Sequence, residues 1–128
     1  MDMEFTLETI LPATPQVVYD TWLDSDGHTA MTGADADITA DEGDPFNAWD
    51  GYIWGKNLQL IPYSFIKQSW RTDDFEEDQE YSTVEITLTP HEEGTLLKLH
   101  HYGLTERDHT YLKGWEEYYF IPMKAYFQ

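Results

Sequence analysis

Histidine is the side chain that titrates closest to neutral pH, so the five histidines of this sequence are its first candidates for proton transfer. His101 is the most informative. It lies in the stretch Thr95 to Tyr102, where Leu97, Leu99 and His101 alternate onto one face, the period of a half-buried strand. A polar ring on such a face has two readings. It orients a ligand or acts as acid or base, or it is a buried histidine bonded to a neighbour or placed at the wet end of the strand. His100 points the opposite way, so the adjacent pair cannot readily share a metal. His28, His91 and His109 show no ligand spacing. There is no nucleophile with a base at a recognisable spacing, no phosphate-cradling glycine loop and no carboxylate pair in an apolar setting. No catalytic residue, metal or cofactor is assigned.

Aromatic residues are the second chemical feature, at 16% of the chain. Trp54, Trp70, Trp115 and Tyr119 either line a ligand pocket or fill it as plain core, and an empty cavity distinguishes the two. Asp35, Asp37, Asp41, Glu42 and Asp44 form an acidic cluster. Its spacing fails the calcium-loop pattern, since Ala40 stands where that loop requires glycine, and a solvated acidic turn is expected.

These side chains must be positioned by strands and one long helix. Thr105 to Phe127 carries the helical signal: Thr105 and Asp108 suit a capping box, and Leu112, Trp115, Tyr119, Met123 and Tyr126 recur at helical spacing. Gly114 and Pro122 are poor interior residues, and Pro122 predicts a kink near Tyr118. Phe120 and Ile121 fall off the stripe and meet another element or mark an association surface. Upstream, Glu4 to Leu11 alternates as a strand. Thr14-Pro15 opens a helix to about Leu23, Asp24 to Gly27 breaks it, and a short second helix near His28 to Met31 ends at Gly33. Six strands follow: Ala36–Thr39, Phe46–Trp49, Tyr52–Ile61 after the hairpin signal Asp50-Gly51, Tyr63–Arg71, Glu80–Thr89 and Thr95–Tyr102. Gly55 suggests a bulge, and the acidic loop Asp73 to Glu80 is expected to be solvated and mobile. Hairpin-linked strands give an antiparallel sheet, and a single long helix can cover one face of it.

A chain of 128 residues is most simply one domain, 1–128, with room for one core. Its 25 acidic residues against 7 basic ones, a formal charge of -18, make nucleic acid and anionic membranes poor partners. The acidity serves solubility in a salty setting, or it forms a docking face for a basic partner or for cations. In either case salt screens the repulsion, so the melting temperature is expected to rise with added salt; a flat or falling trend in a thermal melt contradicts this. With no cysteine, disulfides and thiolate chemistry are excluded. The start MDMEFTLETILP lacks a basic region and a long apolar core, and no apolar run is long enough to span a membrane. A cytoplasmic protein is expected.

The residues also resemble a family. Ile10-Leu11-Pro12-Ala13, Val17-Val18-Tyr19 and Trp22-Leu23 resemble the first strand and helix of homologues of the activator of heat-shock-protein-90 ATPase, within the START-like, helix-grip superfamily. Met31-Thr32-Gly33, Gly43, Phe46, Asp50-Gly51 and Gly55 fit its centre, where the family often has tryptophan in place of Met31. Pro62, Ile66 and Gln68-Ser69-Trp70-Arg71 fit the next strand. Gly94-Thr95-Leu96-Leu97, His101, Gly103-Leu104, Trp115 and Tyr118 to Phe127 fit the end. The resemblance implies an α+β helix-grip fold: a curved antiparallel sheet of about six or seven strands wrapped around a long C-terminal helix, with two short helices after strand one. The chain resembles the stand-alone bacterial members, most of which have no assigned activity.

Three functions follow as expectations. The first is non-catalytic binding of a small hydrophobic ligand or lipid between sheet and C-terminal helix, lined by Trp54, Trp70, Ile86, Leu97, His101, Trp115, Tyr119 and Met123. The second is a co-chaperone-like interaction domain using its acidic surface. The third is a cyclase- or hydratase-like enzyme with His101 as acid or base. Ligand identity and oligomeric state stay open.

Overall fold

A computed structural model describes residues 2–128. Strand β1 (Asp2–Leu11) is followed by helices α1 (Pro15–Trp22) and α2 (Ser25–Thr32). Thr14 caps α1, its hydroxyl accepting from the Val17 amide, with Pro15 as first helical residue. The break expected between the helices at Asp24 to Gly27 is shorter than predicted: Asp24 caps α2, its carboxylate accepting from the Gly27 amide at 2.8 Å. Gly33 ends α2 in the left-handed region at φ 85°, which only glycine adopts without cost.

Strands β2 (Pro45–Ala48), β3 (Ile53–Ile61), β4 (Phe65–Thr72), β5 (Ser82–His91) and β6 (Gly94–Thr105) complete a curved, six-stranded antiparallel sheet ordered β1-β6-β5-β4-β3-β2. The expected strand Ala36–Thr39 is reduced to a single bridge between Asp37 and Asn47. Gly55 is not at a bulge; the register shift lies at Asn57–Gln59. A Cβ on Gly55 would lie 1.9 Å from the Ser69 carbonyl oxygen and 3.1 Å from the Phe46 ring. Glycine is needed because two backbones approach closely, so Gly55→Ala is expected to cost several kcal/mol, on the scale of severe core overpacking or more. A urea melt of that variant within about 1 kcal/mol of the parent contradicts this.

The C-terminal helix enters through a 3₁₀ turn (Glu106–Asp108), in which the Asp108 carboxylate accepts from the Thr105 amide at 2.8 Å. It continues as α3 (Thr110–Trp115), a π turn (Glu116–Phe120) and α4 (Ile121–Phe127). Pro122 has no amide to donate to the Tyr118 carbonyl, and the Ile121 amide reaches back five residues to the Glu116 carbonyl. The expected kink is thus realised as a π turn, which admits one extra residue. Tyr119 and Phe120 therefore both point inward, and Met123 follows, while Leu112, Tyr126 and Ile121 are exposed. The simple stripe overstated Tyr126, which follows the π turn, because it assumed one unbroken α-helical phase; Leu112, ahead of that turn, is exposed as well.

The helix packs against β1 and α2, and the core lies between it and the inner sheet face, where Ile66, Val84, Ile86, Leu88, Leu97 and Leu99 are buried. The loop 73–80 is not the free solvated segment that its acidity predicts. Phe75 is buried against Trp70, and the Arg71 guanidinium donates to the carbonyls of Gln79 at 2.7 Å and Glu76 at 2.9 Å. Among the described residues no helix is long and apolar enough to cross a membrane.

Candidate functional site

The middle of the molecule is a packed cluster of rings centred on Trp115. Its ring centroid lies 4.8 Å from Tyr119, 5.7 Å from Trp70, 5.9 Å from His101 and 6.4 Å from Trp22. Such pairs add to area burial when offset or edge-on. Polar atoms inside this cluster are matched. The Trp115 indole N–H donates to His101 Nδ1 at 3.0 Å, so the ring proton of His101 sits on Nε2 and points to Ser82 Oγ at 2.9 Å. The Ser82 hydroxyl in turn donates to the Trp70 carbonyl at 2.6 Å. Each donor has one acceptor, which fixes the tautomer. Burial pushes the His101 pKa down to about 3, with His100 adding in the same direction. His101 is a neutral, fully committed structural group at physiological pH, and both ring nitrogens are occupied. It is the buried histidine of the two sequence readings, and it offers no free atom for acid or base work.

A second histidine, noted in the sequence only as lacking ligand spacing, is also buried. His28 Nδ1 donates to the Trp22 carbonyl at 2.9 Å, and its Nε2 accepts from the Tyr119 hydroxyl at 2.9 Å. Burial lowers the His28 pKa and raises that of the Tyr119 phenol, so both stay neutral. This bond ties α2 to the π turn.

Beside the packed cluster, a cleft of about 450 Å³ opens between the β2–β3 turn and the C-terminal helix. Trp49, Tyr52 and Ile53 wall it from the turn and the start of β3, and Trp70 contributes from β4. Thr110, Tyr111, Gly114, Trp115, Tyr118 and Tyr119 wall it from the helix. The volume lies within the usual range of small-molecule sites. The turn that presents Trp49 is unusual: Trp49 and Asp50 have φ of 55° and 58°, and Gly51 follows at 89°. A tryptophan in the left-handed region is uncommon and costs backbone energy. Its ring lies 5.7 Å from Tyr118 and 6.2 Å from Tyr119, which aims it across the cleft. Below it, the Tyr52 hydroxyl donates to the Asp74 carboxylate, and the Thr72 and Tyr111 hydroxyls meet at 2.5 Å. Burial raises the Tyr52 and Tyr111 phenols, with Asp74 adding to the rise at Tyr52.

Of the eight residues expected to line a site, Trp70, Trp115 and Tyr119 are brought together on the cleft. Ile86, Leu97, His101 and Met123 are buried in the packed core behind it; the space beneath the helix that they were expected to surround is filled by the aromatic cluster. Trp54 is on the wrong side of the sheet. It pairs across the ladder with Arg71, while its neighbour Ile53 faces the cleft. Its indole donates to the Tyr81 hydroxyl at 3.0 Å, and the Arg71 guanidinium lies 5.7 Å from its ring centroid. Strand alternation forbids both orientations at once. The lining residues missed are Trp49, Tyr52, Ile53, Thr110, Tyr111, Gly114 and Tyr118. Gly114 was the one readable signal, since a glycine inside a helix leaves room for something else. A Cβ there would meet only Tyr118 Cδ2, at 3.9 Å.

The family profile described as Activator of Hsp90 ATPase homolog 1-like protein matches residues 12–128. The chain belongs to this family. A curated relative, the activator of 90 kDa heat shock protein ATPase homolog of Dictyostelium discoideum, is 35% identical over 75 residues; the match spans 59% of this chain and 19% of that protein. Among solved structures, an HSP90 activator from Plasmodium falciparum superposes with a TM-score of 0.75 at 24% identity, covering 94% of this chain and 91% of that one. A Mesorhizobium loti protein superposes with a TM-score of 0.81 at 19% identity, covering 97% and 96%. These two likenesses support the helix-grip fold. The matched span takes in the whole cleft, because Trp49 through Tyr119 falls inside residues 12–128.

Proposed function

We propose that this family member binds a small, predominantly apolar molecule in the cleft between the β2–β3 turn and the C-terminal helix. The observation that supports this is the cleft itself: about 450 Å³ walled almost wholly by aromatic and aliphatic side chains, beside the buried aromatic cluster centred on Trp115. Sites of this kind take their affinity from apolar burial and their orientation from a few polar groups. Here those groups are the hydroxyls of Thr110, Tyr52 and Tyr111.

Gly114→Leu tests the reading without threatening the fold. The new side chain projects into the cleft, and replacing a helix-interior glycine favours the helix by somewhat under about 1 kcal/mol. Small aromatic fragments are expected to shift the indole N–H resonances of Trp49, Trp70 and Trp115 in the parent protein. The same fragments should leave them unmoved in Gly114→Leu, whose melting temperature should not fall. Equal binding to both proteins counts against the cleft.

A second reading, a co-chaperone-like interaction domain, is favoured by the family match over residues 12–128 and by the formal charge of -18. Purified 90 kDa heat shock protein is the partner to try. An acidic docking face predicts that affinity falls steeply between low and physiological salt, and absence of binding at low salt rejects it.

A further inference from the structure

The cleft's walls say something about the charge of its occupant. Among the described residues, seven aromatic side chains line it, and no lysine, arginine or histidine does. The rings do not form one parallel stack: Trp49 stands at 73° to Tyr118, and Trp70 at 85° to Tyr111. These pairs are themselves edge-to-face contacts, so the cleft's walls carry rings in several orientations, some of them turning a face to the space. The face of an aromatic ring is the negative part of its quadrupole, so such a space favours a cation lying against the faces.

A fixed negative charge stands at one end. Asp74 accepts the Tyr52 hydroxyl and borders a smaller polar hollow of about 300 Å³ that shares Thr110 and Tyr111 with the cleft. Asp108 borders the same hollow, and its carboxylate is taken up by the Thr105 amide and by Gln79. Burial and these two carboxylates together hold the Tyr111 phenol protonated. Arg107, which also borders the hollow, is paired with Glu76. Beyond the site, the chain's formal charge of -18 draws cations and repels anions at long range.

We infer that the cleft takes organic cations, an alkyl- or arylammonium group seated against the rings with its charge towards Asp74. This rests on the ligand-binding reading above and adds a charge preference that apolar burial alone does not supply.

Phenyltrimethylammonium and tert-butylbenzene have nearly the same shape and differ in charge, so they separate the two ideas. Each is titrated into the protein at low salt while the tryptophan indole resonances are followed. The cation should bind at least about tenfold more tightly than its neutral counterpart. Asp74→Asn, which keeps an acceptor for Tyr52, should lose several-fold of the cation's affinity and leave the neutral compound unchanged. If tert-butylbenzene binds as tightly or more tightly, the charge preference is overturned while apolar binding stands. If neither compound moves the resonances, both readings fall. If the cation is preferred equally by Asp74→Asn, the assignment of Asp74 as counter-charge is overturned.

Discussion

Replacing Trp115 with alanine should remove about 3–5 kcal/mol of folding stability, the usual cost of deleting a large aromatic from a core. Trp115 is 3% exposed and touches rings from α1, β4, β6 and the π turn, namely Trp22, Trp70, His101 and Tyr119. No neighbour can shift to fill the space without breaking another pair. Truncation also strips His101 Nδ1 of its donor, and a buried acceptor left unmatched costs about 1–3 kcal/mol by itself. A domain of this size has about 5–15 kcal/mol in total, so the variant should be partly unfolded at 37 °C. Trp115→Phe separates the contributions: it keeps most ring contacts and loses the hydrogen bond, and should fall between the two. Urea unfolding followed by circular dichroism gives both values. A loss below about 1 kcal/mol for the alanine variant would mean that the ring cluster is not the centre of the core.

Acid should destabilise the protein from near neutrality downwards, and His101 should account for a measurable share. Its folded-state pKa is lowered from 6.5 to about 3 by burial. In the unfolded chain it protonates near 6.5, so as pH falls the unfolded state takes up the proton first. The stability linked to this site is complete above about pH 6.5 and declines as pH falls from there towards about 3. One such site contributes a slope of about 1.4 kcal/mol per pH unit, or about 2 kcal/mol lost by pH 5. His28 is lowered by burial as well and acts with the same sign. The many carboxylates work the other way, since their protonation relieves the repulsion of a chain at -18. Comparing the parent with His101→Phe cancels that shared contribution. The variant should be weaker at pH 7, because Trp115 and Ser82 lose their partner. Its stability should nevertheless fall less steeply between pH 7 and pH 5. Parallel slopes in denaturant titrations at several pH values would show that His101 is not held neutral in the folded state.

The sequence by itself determined the local structure and much of the order of elements. Alternation marked β1, β5 and β6 because one face of each is buried, and the pairs Thr14-Pro15 and Asp50-Gly51 marked a helix start and a tight turn through backbone preferences that act locally. It also carried the family likeness, which needs only residue identities spread along the chain. Tertiary structure decided everything that depends on which surfaces meet. Trp54 and Trp70 look alike in sequence, yet cross-strand register sends one outward over Arg71 and the other onto the cleft. Pro122 announced a break, but only the packed helix shows that the break is a π turn that brings Phe120 inside. His101 had two open readings because a histidine's role lies in what its nitrogens meet, and its partners Trp115 and Ser82 are 14 and 19 residues away. The cleft was least legible of all, because an empty space is set by where several side chains stop, and no single residue records it.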